Sequence, residues 1–173
     1  MQIISSAVQI ESAAMRALFE YWSSKRKGDA LPRRADIDPA EIPGLVQNIM
    51  IADIEHHPFR VRYRLVGTKV VEMTGYEFTG KYLDEIALPN DEAPFLDCYR
   101  LACDSRSAVL TRVIWRLAPD EVAEYDACFL PLSDDGEVVD KVIAYECYES
   151  VERDYDISPG DKGAPAARKR RRN

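Results

Sequence analysis

Apolar side chains near the N-terminus fall at helical spacing. Ala7, Ile10, Ala14, Leu18 and Tyr21 form one stripe, Met15 and Trp22 widen it, and Glu11, Arg16 and Glu20 take the other side. Ser6-Ala7-Val8-Gln9 has the spacing of a capping box, so the helix is expected to begin there. Lys25-Arg26-Lys27-Gly28 suits its C-terminus. The segment Leu31-Pro32-Arg33-Arg34-Ala35-Asp36-Ile37-Asp38-Pro39 then reads as extended, and Asp38-Pro39-Ala40-Glu41 as about one helical turn closed by Pro43-Gly44.

The period then changes to two. Residues 48–55 and 59–66 predict a hairpin around His56-His57-Pro58, with Phe59, Val61, Tyr63 and Leu65 on one face and Arg60, Arg62 and Arg64 on the other. Asp53 and Glu55 are placed to pair across it with Arg62 and Arg60. Three helical pieces follow: Thr68 to Met73, Thr79 to Ile86, and a longer one after Pro89-Asn90-Asp91 carrying Phe95, Tyr99 and Ala102 on one face. Residues 108–117, 122–130 and 138–147 predict three more strands, the last two joined through Asp134-Asp135-Gly136. From about Ser158 the chain is polar, rich in Pro and Gly, and expected to carry no regular structure. Short connections imply antiparallel pairing, hence an α+β domain with a five-stranded antiparallel sheet, short helices on one side, and an amphipathic N-terminal helix.

With 173 residues, 46% hydrophobic and 31% charged, the chain is sized for one domain with tails. The expected division is an N-terminal helix over 1–30, the main domain over 31–150, and a basic tail over 151–173. The net charge of −7 is uneven: Arg168 to Arg172 hold five of the 23 basic residues, leaving an acidic body of about −12. Such a body is not expected to lie on a nucleic-acid backbone, and the tail alone supports only salt-sensitive, nonspecific binding. No membrane span or secretory signal is visible, and Cys98, Cys103, Cys128 and Cys147 form no CxxC pair. The expectation is a cytoplasmic protein with reduced cysteines.

The order of elements is similar to the PAS fold, in which a five-stranded antiparallel sheet cups a small-molecule pocket under its middle helices. Tyr-Arg-Leu-Val-Gly-Thr (63–68) and Thr-Gly-Lys-Tyr-Leu-Asp-Glu-Ile (79–86) look like the second PAS strand and the helices after it. Leu31 to Pro39, following a Trp-bearing helix, resembles a subfamily of small stand-alone alphaproteobacterial PAS proteins with a Leu-Pro-x-Arg-x-Asp-x-Asp-Pro segment. The resemblance covers about residues 15–150. It implies a regulatory module of signal transduction, acting on a signalling protein partner or through its own homodimer.

Met73, Phe95, Tyr99, Val113, Trp115, Tyr125, Phe129, Ile143 and Tyr145 either line a PAS cavity for a small, mainly apolar metabolite or fill a core. Arg33 and Arg34 either clamp an anion or hold their own segment in place. Leu18, Tyr21 and Trp22 pack on the sheet or on the same helix of a second subunit. Cofactor identity stays open. Flavin is not expected, because the Asn-Cys-Arg-Phe-Leu-Gln motif is missing, nor is haem, because residues 91–104 hold no axial His. His56 and His57 read as exposed turn residues, and no metal site is expected. Nor is catalysis: no HExxH, GxSxG or phosphate-binding Gly loop occurs. The alternatives are a ligand-free adaptor or a small cone-shaped α+β enzyme using Asp53 or Asp126 as a base.

Overall fold

The two alternating regions come together in one sheet, with one strand more than expected. The computed structural model describes residues 1–86, 93–118, 121–149, 155–156 and 168–169. The strands of the main sheet are β1 (Gln2–Ile4), β2 (Ile49–His56), β3 (Phe59–Val66), β4 (Ala108–Ala118), β5 (Glu121–Leu132) and β6 (Lys141–Cys147). All neighbours are antiparallel, in the order β1-β4-β5-β6-β2-β3. The extra strand β1 adds three residues to the edge, pairing Ile4 with Ala108 and burying it. A run of three has too few alternations to register as a strand by period.

Directly opposed residues share a face of a sheet. Val109, Val113, Tyr125, Ala127, Phe129, Ala144 and Glu146 therefore point one way, and Leu110, Cys128, Leu130, Ile143, Tyr145 and Cys147 the other. The first face lies under α3 (Ala93–Ser105) and the second under α1 (Ala13–Ser24), while α2 (Thr68–Thr74) packs beside the 3-10 turn Val46–Asn48. Both faces of the central strands are thus covered within one chain. This explains why residues 138–147 alternate so weakly.

The amphipathic helix begins later than its first capping signal suggests. Ser6 and Gln9 close only a 3-10 turn, Ala7–Gln9, after which Ile10 is extended. Ser12 provides the true cap, its Oγ accepting from Met15 N at 3.3 Å. Arg16 bridges the break by donating to the carbonyl of Ile10 at 2.7 Å. The buried stripe is Met15, Leu18, Phe19 and Trp22, an i, i+3, i+4, i+7 set belonging to the same core as the sheet. Ala14 and Tyr21 lie at its margin.

Residues 79–86 form no α-helix, only the 3-10 turn Leu83–Glu85. The Arg face of β3 accounts for it: Arg62 Nε donates to Gly80 O at 3.2 Å, and Arg60 forks onto Asp84 at 2.7 and 3.0 Å. These contacts hold the segment flat against the strand. Asp53 and Glu55 do stand opposite Arg62 and Arg60, but the side chains choose other partners. Asp53 pairs diagonally with Arg64 at 2.9 Å, and Glu55 accepts from Tyr82 OH at 2.7 Å. A bulge between Ile51 and Ala52 leaves Arg64 as the extra residue of β3, so Leu65 turns outward and Val66 is buried instead.

Gly67, between β3 and α2, has an ordinary φ of −66°. A Cβ there would sit 2.2 Å from Gln47 O and 2.8 Å from Ile49 O. Both obstacles are backbone and cannot rotate away, so Gly67→Ala is expected to lower stability by about 1–3 kcal/mol, the usual effect of overpacking. A denaturant midpoint unchanged from wild type would contradict this close approach.

The basic tail holds a short antiparallel ladder, Tyr155–Asp156 with Arg168–Lys169; the rest of residues 157–173 lies outside the described residues.

Candidate functional site

The inner face, between α3 and the sheet, carries the chemistry. Tyr99 of α3 is 1% exposed and meets Phe129 of β5 edge-to-face at 4.9 Å and Tyr63 of β3 at 6.3 Å. Tyr63 also stands edge-on to Phe78 at 4.8 Å. Such pairs add about 0.5–1.5 kcal/mol each beyond area burial. The hydroxyl of Tyr99 is buried without a well-aligned hydrogen-bond partner, although that of Tyr63 is near enough to interact with it.

Beside these rings lies a buried carboxyl. Glu146 of β6 is 6% exposed. Its Oε1 accepts from Tyr125 OH at 3.4 Å and its Oε2 from Tyr148 OH. The Tyr125 and Tyr148 rings are 5.0 Å apart. Burial raises the Glu146 carboxyl to about 7, and the two phenol hydrogen bonds only partly oppose this. Tyr99, Tyr125 and Tyr148 are themselves pushed well above the usual phenol range by burial. The cluster therefore consists of phenols that stay neutral around an acid poised near neutrality.

The nine expected pocket residues do not share one compartment. Tyr99, Tyr125 and Phe129 stand on the inner face, with Val113 opposite Tyr125, while Met73 and Phe95 pack partly buried against the same core. The side chain of Trp115 lies outside the described residues. Ile143 and Tyr145 face α1 on the other side, because they are the direct partners of Leu130 and Cys128. Glu146, Tyr148, Tyr63 and Phe78 are polar or aromatic inner-face residues that the expected pocket set omits. One signal was available for them: Glu146 is the single charge in the run Val-Ile-Ala-Tyr-Glu-Cys-Tyr (142–148), which an apolar strand tolerates only with a partner.

Arg33 and Arg34 are held within their own surroundings. Arg33 forks onto Asp36 at 2.9 and 3.2 Å, which holds that carboxyl well below its usual range. Arg34 donates from its guanidinium to Ile37 O at 2.9 Å and from its backbone N to Asp134 at 3.0 Å. Asp38 N donates to Tyr21 OH at 2.8 Å, tying the same segment to α1. Leu18 and Trp22 are buried under the sheet within this chain, and Tyr21 is half-buried. His56 is not a free turn residue, since its Nε2 lies 2.8 Å from Val139 O.

On the outer face a cleft of about 310 Å³ opens between the start of α1 and β4, lined in part by Gln9, Glu11, Ser12, Thr111, Arg112 and Asp126. Asp126 thus does reach a cleft, but in ion pair with Arg112 at 3.0 Å. Asp53 is held by Arg64. Among the described residues no group of three His, Cys, Asp or Glu could hold a metal ion, and no helix is long and apolar enough to cross a membrane. The four thiols are buried and shifted upward by burial, Cys98 to about 11 and Cys103 and Cys128 to about 12, the reverse of an activated thiolate.

Residues 10–143 match the family model described as PAS domain. The chain belongs to the PAS domain family. No curated protein matches it. Among solved structures, this PAS domain is similar to a fungal LOV domain photoreceptor at 14% identity and a TM-score of 0.43, over 79% of this chain and 94% of that one. It is similar to an RNA-binding light-oxygen-voltage receptor at 16% identity and a TM-score of 0.45, over 67% of this chain and 35% of that one. The chain spans about a third of that receptor. It is also similar to the PAS domain of an HTR-like protein from Haloarcula marismortui, at 15% identity and a TM-score of 0.38, over 62% and 88% of the two chains.

Proposed function

We propose that this PAS domain is a cytoplasmic regulatory module of bacterial signal transduction, not a catalyst, that binds a small, mainly apolar ligand between α3 and the sheet. The observation that carries this reading is the inner-face cluster. A fully buried Tyr99 hydroxyl, with only the Tyr63 hydroxyl near enough to interact among the described residues, stands among aromatic rings next to a buried carboxyl. An apolar ligand with one polar group would complete that set, as ligand sites typically join apolar walls to a few placed polar atoms. The Leu31 to Pro39 segment, by its resemblance in sequence, supports kinship with a subfamily of small alphaproteobacterial PAS proteins.

A module of this kind passes its state to a signalling partner or to a second copy of itself. Because Leu18 and Trp22 are already buried under the sheet, a homodimer would use other surfaces, and α1 signals by changing how it packs on the sheet. Native mass spectrometry of freshly purified protein, set against its denatured mass, tests the ligand. An added non-covalent mass of small-molecule size is expected. A bare polypeptide mass would overturn the resident ligand and leave an adaptor that acts through its surface, and the same spectrum reports the subunit count.

A further inference from the structure

Glu146 and Cys147 are consecutive residues of β6, and alternation sends them to opposite faces of the sheet. On the inner side, the Glu146 carboxyl accepts from Tyr125 of β5 and from Tyr148 just past β6. Tyr63 of β3 and Tyr99 of α3 are the other titratable groups within electrostatic reach among the described residues. All four are phenols, and none of the described groups that act on the carboxyl is a cation. On the outer side, Cys147 Sγ donates to Ser12 Oγ at 3.3 Å. That same Ser12 oxygen accepts from Met15 N as the cap of α1. The backbone between the two faces is held as well, since Asn48 Nδ2 donates to Glu146 O at 2.8 Å.

We propose that Glu146 is a proton-sensing acid of the inner face, and that its gain or loss of a proton is relayed along β6, through Cys147 and Ser12, to the N-terminal cap of α1. A neutral carboxyl suits a buried site furnished only with phenols. A carboxylate there is a buried charge with no counter-ion among the described residues, and such a charge is relieved by admitting water or by drawing the side chain toward solvent. Either response displaces the end of β6, and the next residue on that strand holds the α1 cap. The raised titration range of Glu146 places the change near neutral pH, where a cell can use it. The output half of this inference, a change in how α1 packs, rests on the reading given under Proposed function; the proton site does not.

The test combines infrared titration of the carboxyl C=O stretch with hydrogen exchange at the first turn of α1, on the full chain from pH 5 to 9. A protonated-carboxyl band that disappears near pH 7 and is missing from Glu146→Gln is expected. The amides of Met15 and Arg16, after correction for the intrinsic pH dependence of exchange, are expected to lose about fivefold in protection as the band is lost, the factor that one helix cap is worth. In Cys147→Ala the band should still titrate while that protection no longer follows it. Should Glu146→Gln fail to fold, Tyr148→Phe serves instead: with one donor fewer to the carboxylate, the band should persist to higher pH. A carboxyl band that does not titrate between pH 5 and 9 overturns the proton site. A titrating band with α1 protection unmoved, or moved equally in Cys147→Ala, overturns the relay. Native mass spectrometry is independent of both outcomes, so a bound ligand with a silent carboxyl would leave the sensory reading standing and remove only the proton switch.

Discussion

Trp22→Ala is expected to lower stability by about 3–5 kcal/mol, the range for removing a large buried aromatic side chain. The indole is 2% exposed, lies 5.9 Å from the Phe19 ring, and donates from Nε1 to Pro131 O on β5 at 3.0 Å. Truncation leaves a void between α1 and the sheet and strips a buried carbonyl of its donor. In urea the midpoint should fall while the slope stays constant, because the surface exposed on unfolding changes little. Trp22→Phe should recover most of the volume effect but not the hydrogen bond, leaving a deficit of roughly 1 kcal/mol. If Trp22→Ala instead changed the subunit count at unaltered monomer stability, Trp22 would belong to an intersubunit contact and the packing of α1 on its own sheet would be wrong.

A second expected result concerns pH. The folded-state Glu146 titrates at about 7, above the ordinary 4.5. The native state therefore holds this proton more tightly than the unfolded state does. The resulting stabilisation is fully present below about pH 4.5 and is lost as pH rises through 7. Its size follows from the separation of the two values, roughly 3 kcal/mol. Carboxyls held below their usual range, such as Asp36 beside Arg33 and Asp134 beside Lys141, work in the other direction, losing stability as pH falls. The informative quantity is therefore the difference between wild type and Glu146→Gln, whose amide mimics the protonated acid at every pH. Chemical denaturation from pH 5 to 8 should show wild type losing ground steadily against the variant. Parallel curves would mean that Glu146 has the same proton affinity folded and unfolded.

The sequence disclosed the architecture wherever one side of an element faces water. Period two in β3 and β4, and the Gly and Pro punctuation between elements, were sufficient to predict five strands and their antiparallel pairing, and Met15, Leu18 and Trp22 of the buried α1 stripe were legible while Phe19 was not. Where both sides are covered, the alternation that assigns residues to faces vanishes. Ile143 and Tyr145 were accordingly grouped with Phe129, although cross-strand register puts them on the opposite face. The bulge at Arg64, which sends Leu65 outward, depends on a two-against-one pairing that no single strand records. The same holds for the charges. Opposition of Asp53 to Arg62 followed from counting along the hairpin, but the actual partners depend on the segment at Gly80 to Glu85 lying across the strand. The site was half legible: Tyr99, Tyr125 and Phe129 stood out, Tyr63, Phe78 and Tyr148 did not, and Glu146 needed its burial to be known before its charge became informative.

The position of β6 in the middle of the sheet limits the kind of motion it can make. Hydrogen-bonded to β5 on one side and β2 on the other, it cannot slide by a residue without breaking two ladders at once. Such a slide would also exchange the surroundings of Glu146 and Cys147, placing the acid under α1 and the thiol among the phenols. Any message carried by this strand must therefore be a small tilt or a fraction-of-a-residue displacement at its free end. The amplitude is bounded by the sheet, and amplification is left to whatever the first turn of α1 touches.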